Sequence, residues 1–406
     1  MRVQERKRNQ EPTRERSQVK RRMLFWCSLS WRILMLGIVG GCNSRDTGDL
    51  GKQDRIVVKV GVVAPYEGPN AHIGKMIFNS VKLYFARNAT PEFKVELVPL
   101  DTKSNPSDAV AALQAAVPDR SLVGLVAFYH SSTALAGKPI IQEAKLPTII
   151  YSASNPMVTD NAPYYFRLVP TDDNQAIVLA DYARGLGAKK MGILYYADDY
   201  GKGLADGIQA RAKSNGCEIV DVEGYDANTT DFRPVLTIMK GKTPDVVMIC
   251  GFVEKSIAIL NQAAEQGLKA RFLCGDGTFN EEQLVQGADG NAEGVYVAAP
   301  YVFDESNAKN KDFLDAYWNA YAKAGPRQKP ASWSAFAYDA SAIFDKALRS
   351  GHRDRAAIQQ FLRKMNTPES GFDGVTGVAY FNARGDAVNR QFRLAVVKNG
   401  QFVPVK

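Results

Sequence analysis

The chain has 406 residues, of which 45% are hydrophobic and 23% are charged. This length is well beyond one compact core, so it predicts two domains, and the composition is that of a globular protein. The net charge is +8, but ten of the 51 Lys and Arg residues lie within residues 1–42, together with only three acidic residues. The remainder has 41 basic and 40 acidic residues, so the charge does not indicate a nucleic-acid partner.

The amino terminus has the pattern of an export signal. A basic region precedes an apolar run at residues 33–39, which is followed by two glycines and Cys42. The apolar run is too short to span a bilayer as a stable helix, and this order of segments predicts a signal peptide over residues 1–42. The residues before Cys42 resemble a bacterial lipobox, so we expect acylation of this cysteine; the alternative is an ordinary signal peptide with an incidental cysteine. Residues 43–54 are polar and predict a flexible tether.

The next segment predicts strands and helices in regular alternation. Continuous apolar runs of strand length alternate with segments whose apolar residues have helical spacing. The predicted strands are residues 56–63, 94–99, 122–128 and 148–151, and the predicted helices between them are residues 74–88, 106–117 and 134–144. Such alternation is typical of a parallel sheet covered by helices.

A second alternating run follows residue 173. The predicted helices are residues 174–185, 201–215, 232–240 and 255–266, and the predicted strands are residues 190–195, 218–224, 246–251, 272–274 and 294–298. Two further helices are predicted at residues 309–324 and 333–350, and a hairpin is predicted from strands at residues 380–381 and 392–398. The fold class is therefore α/β, with two doubly wound parallel-sheet domains.

Polar turns follow many of the predicted strands. In doubly wound sheets, ligands bind outside the carboxyl ends of the strands. The turns that lie there are residues 66–74, 129–133, 152–155, 198–203, 251–254 and 275–279. Two domains that present these edges to each other would form a cleft.

The turn at residues 129–133 joins a buried strand to an Ala-rich helix. It contains Ser131, Ser132 and Thr133, whose hydroxyls lie beside the free backbone N–H groups and the positive end of the helix dipole. These groups suit an anion such as a carboxylate. The alternative is that one of the serines only caps the helix.

Several segments, in this order, resemble bacterial solute-binding proteins of ABC transporters for branched-chain amino acids and related compounds, which have the type I periplasmic-binding fold. The segments are residues 61–74, 129–133, 152–156, 166–173, 200–203 and 275–277, and the strand after Gly294. The resemblance covers nearly all of residues 56–406. It implies a first lobe from residues 55–170 and 300–380 and a second lobe from residues 171–299 and 381–406, joined by crossings near Pro170, Ala299 and Tyr380.

The resemblance also implies which residues bind the ligand. A zwitterionic amino acid needs an anion site and a cation site a few ångströms apart. In the family, two serine-rich turns grip the carboxylate and share the ammonium, and they correspond here to Ser131, Ser132, Ser152 and Ser154. A carboxylate of the second lobe completes the ammonium site and corresponds to Asp276. The pocket walls correspond to Ile73, Tyr200 and Phe252.

Two positions depart from the family pattern. His130 stands where a small hydroxyl residue is common, which predicts a bulkier and pH-sensitive anion site. Glu67 stands where a hydroxyl or small residue is usual, and it would add negative charge at the cleft. The otherwise neutral wall favours a ligand with an uncharged side chain, although a plain leucine specificity is not expected.

The sequence has no pattern for catalysis, a metal or a cofactor. Ser131 and His130 do not form a nucleophile–base pair, because adjacent residues seldom aim at one another. The cysteines of the folded body match no zinc spacing. A disulfide between Cys250 and Cys274 is one alternative in an oxidising compartment, and buried free thiols are the other.

We therefore predict an exported substrate-binding component of an ABC transporter that is not an enzyme. It would be a monomer, anchored to a membrane by a lipid at Cys42, that closes on an amino acid or related solute and delivers it to a membrane permease. A ligand-sensing receptor of the same fold is an alternative. A binder of another small carboxylate or amide is a second alternative.

Overall fold

The structure is a computed structural model that describes residues 56–321 and 329–405. The predicted signal peptide, the tether and Cys42 lie outside these residues, as does the end of the helix predicted at residues 309–324. Within the two described ranges, no helix is both long enough and apolar enough to cross a membrane.

The first sheet consists of five parallel strands. The strands are β1 (Ile56–Ala64), β2 (Phe93–Asp101), β3 (Leu122–Ala127), β4 (Thr148–Ile150) and β5 (Tyr165–Arg167), and the helices between them are α1 (Ala71–Arg87), α2 (Pro106–Ala116) and α3 (Ser131–Glu143). The strand order is β2-β1-β3-β4-β5. Strands β3, β4 and β5 are buried along their whole length, as expected for a sheet covered on both faces.

The second sheet has seven strands. Its strands are β6 (Lys190–Tyr196), β7 (Glu218–Tyr225), β8 (Val246–Cys250), β9 (Arg271–Cys274), β10 (Tyr296–Ala299), β13 (Arg393–Lys398) and β14 (Gln401–Pro404). Its helices are α4 (Asp172–Gly185), α5 (Asp199–Ser214), α6 (Arg233–Gly241), α7 (Val253–Glu265) and α8 (Glu281–Gly287). The order is β14-β13-β10-β9-β8-β6-β7, in which β6 to β10 are parallel and the last two strands of the chain are antiparallel at one edge.

Between β10 and β13 the chain returns to the first sheet. This part contains α9 (Ala308–Tyr321), α10 (Ser332–Arg349), α11 (Arg355–Lys364), β11 (Phe372–Gly374) and β12 (Gly377–Ala379). Helices α9 and α10 pack against α1, and α11 packs against β3. We call the first sheet with α1–α3 and α9–α11 the first lobe, and the second sheet with α4–α8 the second lobe.

The two lobes are in contact across the cleft. One buried apolar cluster contains Tyr129 and Trp333 of the first lobe together with Tyr200 of the second lobe, and Phe252 packs against it. The other face of each sheet has a cluster of its own. The structure is therefore that of a closed cleft.

The predicted α/β alternation is confirmed, but some details of the carboxyl-terminal part differ. The predicted hairpin is wrong, because β13 pairs with β10 and β14, whereas Phe381 forms only an isolated bridge with Ala387. The returning segment also stays bonded to β5, through Arg167 and the backbone of Gly385 and Ala387, so this crossing lies later than Tyr380. Six elements, which are short or largely polar, were not predicted: β5, α8, α11, β11, β12 and β14.

The register of the second sheet decides the state of two cysteines. Cys274 lies opposite Ile249, the residue before Cys250. Because successive side chains of a strand point to opposite faces, Cys250 and Cys274 lie on opposite faces of the sheet and cannot be bridged. Both are free and buried, as is Cys217.

Candidate functional site

A small cavity lies between the lobes; the empty space around it, which includes space open to solvent, is about 250 Å³. Seven residues predicted from the sequence line it: His130, Ser131, Ser152, Ser154, Tyr200, Phe252 and Asp276. Three other residues complete its wall: Tyr129, Gly277 and Trp333. Trp333 was not assigned to the site from the sequence, but the first turn of α10 carries it to the cavity.

The turn between β3 and α3 forms one end of the cavity. Phe128, directly after β3, is buried and has a φ of +70°, which is strained for a bulky side chain and typical of functional turns. The helix begins after His130, whose side chain makes no capping hydrogen bond. The predicted serine cap is therefore not observed. The Ser131 hydroxyl instead accepts a hydrogen bond from the backbone N–H of Asn155 at 3.2 Å.

The turn after β4 carries Ser152 and Ser154 to the same end. Arg167 holds this turn, because its Nη1 donates to the carbonyl oxygens of Ala153 at 3.3 Å and Asn155 at 2.7 Å. The guanidinium is completely buried, and it pairs with Asp386 at 2.7 Å. A buried ion pair with several hydrogen bonds fixes the position of both serines.

His130 and Trp333 contribute hydrogen-bond donors that have no acceptor among the described residues. Nε2 of His130 lies 3.4 Å from Nδ2 of Asn70; an amide nitrogen donates, so the imidazole proton is assigned to Nδ1. Within the described residues, Nδ1 of His130 and Nε1 of Trp333 are buried without a partner. Burial lowers the pKa of His130 to about 3, so the imidazole is neutral in the closed cleft. The sequence predicted a pH-sensitive histidine. In the closed cleft this imidazole carries no positive charge.

Asp276 lines the cavity from the second lobe. Its Oδ1 accepts hydrogen bonds from the Tyr200 hydroxyl at 2.7 Å and from Nε2 of Gln175 at 3.0 Å. Burial raises its pKa to about 6, although both hydrogen bonds oppose the rise. No Lys or Arg of the described residues lines the cavity.

The glycine before Asp276 is required by close packing. A Cβ at Gly275 would lie 2.6 Å from the Tyr200 hydroxyl oxygen, which is closer than real contacts allow. The Gly-Asp-Gly sequence therefore does more than form a turn, because it lets the tyrosine reach the carboxylate.

Gln175 and Asp172 belong to the same site but were not assigned to it from the sequence. Nε2 of Gln175 also donates to Oδ1 of Asp172 at 2.9 Å, and its Oε1 accepts from the backbone N–H of Asp276 at 2.9 Å. Both residues lie in the first turn of α4, where acids and amides are common at any helix start. The local sequence consequently had no signal that separates them from ordinary helix-start residues.

Three other candidate residues lie away from the cavity. Ile73 is buried in the apolar cluster to which both lobes contribute. Ser132 is half-buried and donates to Asp198 of the second lobe. Glu67 is exposed and pairs with Lys103 at 2.9 Å, so it does not add charge to the cavity.

Comparison with known proteins defines the class to which this chain belongs. The model of the periplasmic binding protein family matches residues 57–401, and the chain is a member of this family. An amino acid binding protein of Pseudomonas aeruginosa is 30% identical over 232 residues, which are 55% of this chain and 62% of the relative. That alignment spans less than two thirds of the relative.

Solved structures share the two-lobed fold. A leucine-binding protein from Thermotoga maritima has a TM-score of 0.79 and 27% identity, with 86% of this chain and 98% of that chain covered. The substrate-binding protein of a branched-chain amino acid transporter from Streptococcus pneumoniae, solved in complex with isoleucine, has a TM-score of 0.75 and 28% identity, with 86% and 100% covered. The type I fold and the family predicted from the sequence are confirmed.

Proposed function

We propose that this protein is the extracytoplasmic substrate-binding component of an ABC transporter and that its cleft binds an amino acid with an uncharged side chain. The observation that carries the proposal is the different polarity of the groups that the two lobes bring to one cavity. Unpartnered donors, serine hydroxyls and the start of α3 come from the first lobe, and a buried carboxyl comes from the second. An α-amino acid supplies a carboxylate for the first set of groups and an ammonium for the second.

The walls of the cavity support an uncharged side chain. The rings of Tyr129, Tyr200, Phe252 and Trp333 line the same cavity. A plain carboxylate without an ammonium would leave Asp276 without a cation, in a site where burial disfavours its charge. The names of the relatives, which bind amino acids, leucine or isoleucine, point in the same direction.

In the proposed roles, Ser131, Ser152, Ser154 and His130 bind the ligand carboxylate, and Asp276 binds the ammonium. Tyr200 orients Asp276 and, with Phe252, closes the cavity from the second lobe. Binding then selects the closed form, which a membrane permease recognises without any chemical step in the binding protein.

The test begins with a thermal-shift screen of the common amino acids, because stabilisation follows ligand affinity. For the amino acid that stabilises the wild type most, we expect Asp276→Asn to weaken calorimetric binding at least about thirtyfold, as loss of one partner of a buried charge pair costs about 2–5 kcal/mol. Asp206→Asn, an exposed substitution on α5, is the matched control and should bind normally. Undiminished binding by Asp276→Asn would refute the proposed site.

We also propose that a lipid on Cys42 anchors the protein to the membrane. The support is the apolar segment with small residues before this cysteine. Two acyl chains would give stable anchoring. Cys42→Ser should move the protein from the membrane fraction to the soluble fraction of fractionated cells; an unchanged distribution would contradict the anchor.

A further inference from the structure

Two carboxyl groups of the second lobe share one hydrogen-bond donor. Nε2 of Gln175 lies 2.9 Å from Oδ1 of Asp172 and 3.0 Å from Oδ1 of Asp276. The two oxygens are therefore no more than about 6 Å apart, a separation at which like charges disfavour each other strongly. Asp172 and Asp276 are both buried, at 2% and 3% exposure.

Neither carboxyl is neutralised by a basic side chain that the structure describes. The nearest guanidinium to Asp172 is that of Arg167, but this group already pairs with Asp386 and donates to Thr159 and to two backbone carbonyls. The charged or titratable groups that face Asp172 from the surrounding elements are Arg167, Asp173, Tyr200, Cys250 and Asp276.

The two acids are not equivalent. Asp276 accepts two side-chain hydrogen bonds and lines the cavity, where a ligand cation can reach it. Asp172 accepts hydrogen bonds from Gln175 and from the Ser154 side chain, and it does not line the cavity. Burial, and then the charge of Asp276, raise the pKa of Asp172 well above its ordinary value.

We propose that Asp172 is a neutral acid beside a charged Asp276, so that the pair offers one negative charge to the ligand. Asp172 is then a specificity-determining residue. It keeps the hydrogen bond that positions Gln175 against Asp276 without adding a second charge. The site consequently takes amino acids with one ammonium group and rejects diamino acids, whose second cation finds no partner. This inference rests on the proposed function and names the ligand class.

Asp172 is also bonded to a serine turn of the ligand site. Its backbone N–H donates to the carbonyl oxygen of Ser154, in the turn after β4, at 3.0 Å. Loss of its carboxyl would leave Gln175 with an unsatisfied buried donor beside Asp276.

The test uses calorimetric affinity for the preferred amino acid of the screen and for 2,4-diaminobutyrate, between pH 5 and pH 8. We expect Asp172→Ala to lower affinity for the preferred ligand about tenfold or more, and Asp172→Asn to rescue it, because the amide reproduces a neutral carboxyl. Asp173→Asn, the exposed neighbour on the same turn, is the matched control and should leave affinity unchanged.

Two results would overturn the inference. If Asp172 is charged, Asp172→Asn will shift the midpoint of the affinity–pH profile by one pH unit or more. It will also lower the affinity for 2,4-diaminobutyrate more than that for the preferred ligand. If the carboxyl of Asp172 has no role in binding, Asp172→Ala will bind the ligand like the wild type.

A measurement without ligand keeps the inference separate from the proposed function. In the ligand-free protein with ¹³C-labelled aspartate, we expect the carboxyl resonance that is absent in Asp172→Asn to be that of a protonated group at pH 7. If that carboxyl is ionised at pH 7, the inference is refuted even where amino acids bind. If no amino acid binds the wild type, the proposed function fails, and the carboxyl titration still decides the state of Asp172. This measurement needs only Asp172→Asn, so it remains decisive if Asp172→Ala does not fold.

Discussion

At the scale of single residues, burial sets the charge of the ligand site. The imidazole of His130 contacts the ring of Phe252, with centroids 5.0 Å apart, and no acid pairs with it among the described residues. Phe252 belongs to the second lobe, so closing the cleft covers His130. The neutral imidazole is thus a consequence of closure, and an opened cleft that restores water would return its pKa towards about 6.5.

This coupling predicts a pH dependence of ligand binding. The pKa of His130 is about 3 in the closed cleft, below its ordinary value, so closure must expel a proton when the pH is under about 6.5. Above that pH, closure releases no proton and the affinity is at its maximum. Below it, the affinity falls by up to tenfold for each pH unit. We expect calorimetric affinity of the wild type to fall between pH 7.5 and pH 5.5, and that of His130→Gln to fall less steeply.

Asp276 also titrates in this range, and its loss of charge lowers affinity in both proteins. The difference between the two slopes therefore belongs to His130. Equal slopes in the wild type and His130→Gln would show that the histidine is not covered on closure.

At the scale of elements, the turn after β4 joins the lobes directly. Nδ2 of Asn155 donates to the backbone carbonyl of Asp199, at the start of α5, at 2.6 Å. A glycine on the same helix makes room for it, since a Cβ at Gly203 would lie 2.6 Å from that nitrogen. Asn155 does not line the cavity, so its bond stabilises closure rather than a particular ligand.

Asn155→Ala should therefore weaken all amino acid ligands by a similar factor. One hydrogen bond contributes about 1 kcal/mol, which corresponds to about a fivefold loss of affinity, with faster release in stopped-flow measurements. Asn228→Ala, in an exposed loop of the second lobe, is the control. A loss confined to one ligand would instead assign Asn155 to specificity.

At the scale of the whole molecule, the buried pair of Arg167 and Asp386 joins distant parts of the chain. Arg167 ends β5 just before the first crossing, and Asp386 lies in the segment that returns towards β13. Backbone hydrogen bonds flank the pair on both sides, from Arg167 to Gly385 at 2.7 Å and from Ala387 to Arg167 at 2.8 Å. The same side chain holds the serine turn of the ligand site, so stability and binding share one anchor.

We expect Arg167→Met to destabilise the protein by about 3–5 kcal/mol, because it leaves Asp386 without its cation in a buried site. Thermal melting should show a large decrease, and the double variant Arg167→Met with Asp386→Leu should recover much of it. Lys202→Met, which breaks the exposed pair with Asp206, should cost no more than about 1 kcal/mol. Equal melting temperatures for Arg167→Met and Lys202→Met would contradict the role of the buried pair.

The sequence by itself determined the class of fold and the edge of the sheets at which the candidate site lies. Buried parallel strands need continuous apolar runs, and the helices that cover them need apolar residues at helical spacing. Elements such as β3 and α3 can therefore be recognised from the local sequence. Polar turns such as residues 129–133 follow these runs. The family resemblance then directed attention to Asp276, which lies about 145 positions later.

The tertiary structure alone decided which side chains share the cavity and which of them are charged. Trp333 has the pattern of a core residue, and Gln175 and Asp172 have the pattern of a helix start, so their roles depend on partners that are distant in the chain. Strand register placed Cys250 and Cys274 on opposite faces. Closure of the lobes removed water from His130 and Asp276, and desolvation, which no local pattern records, set their protonation.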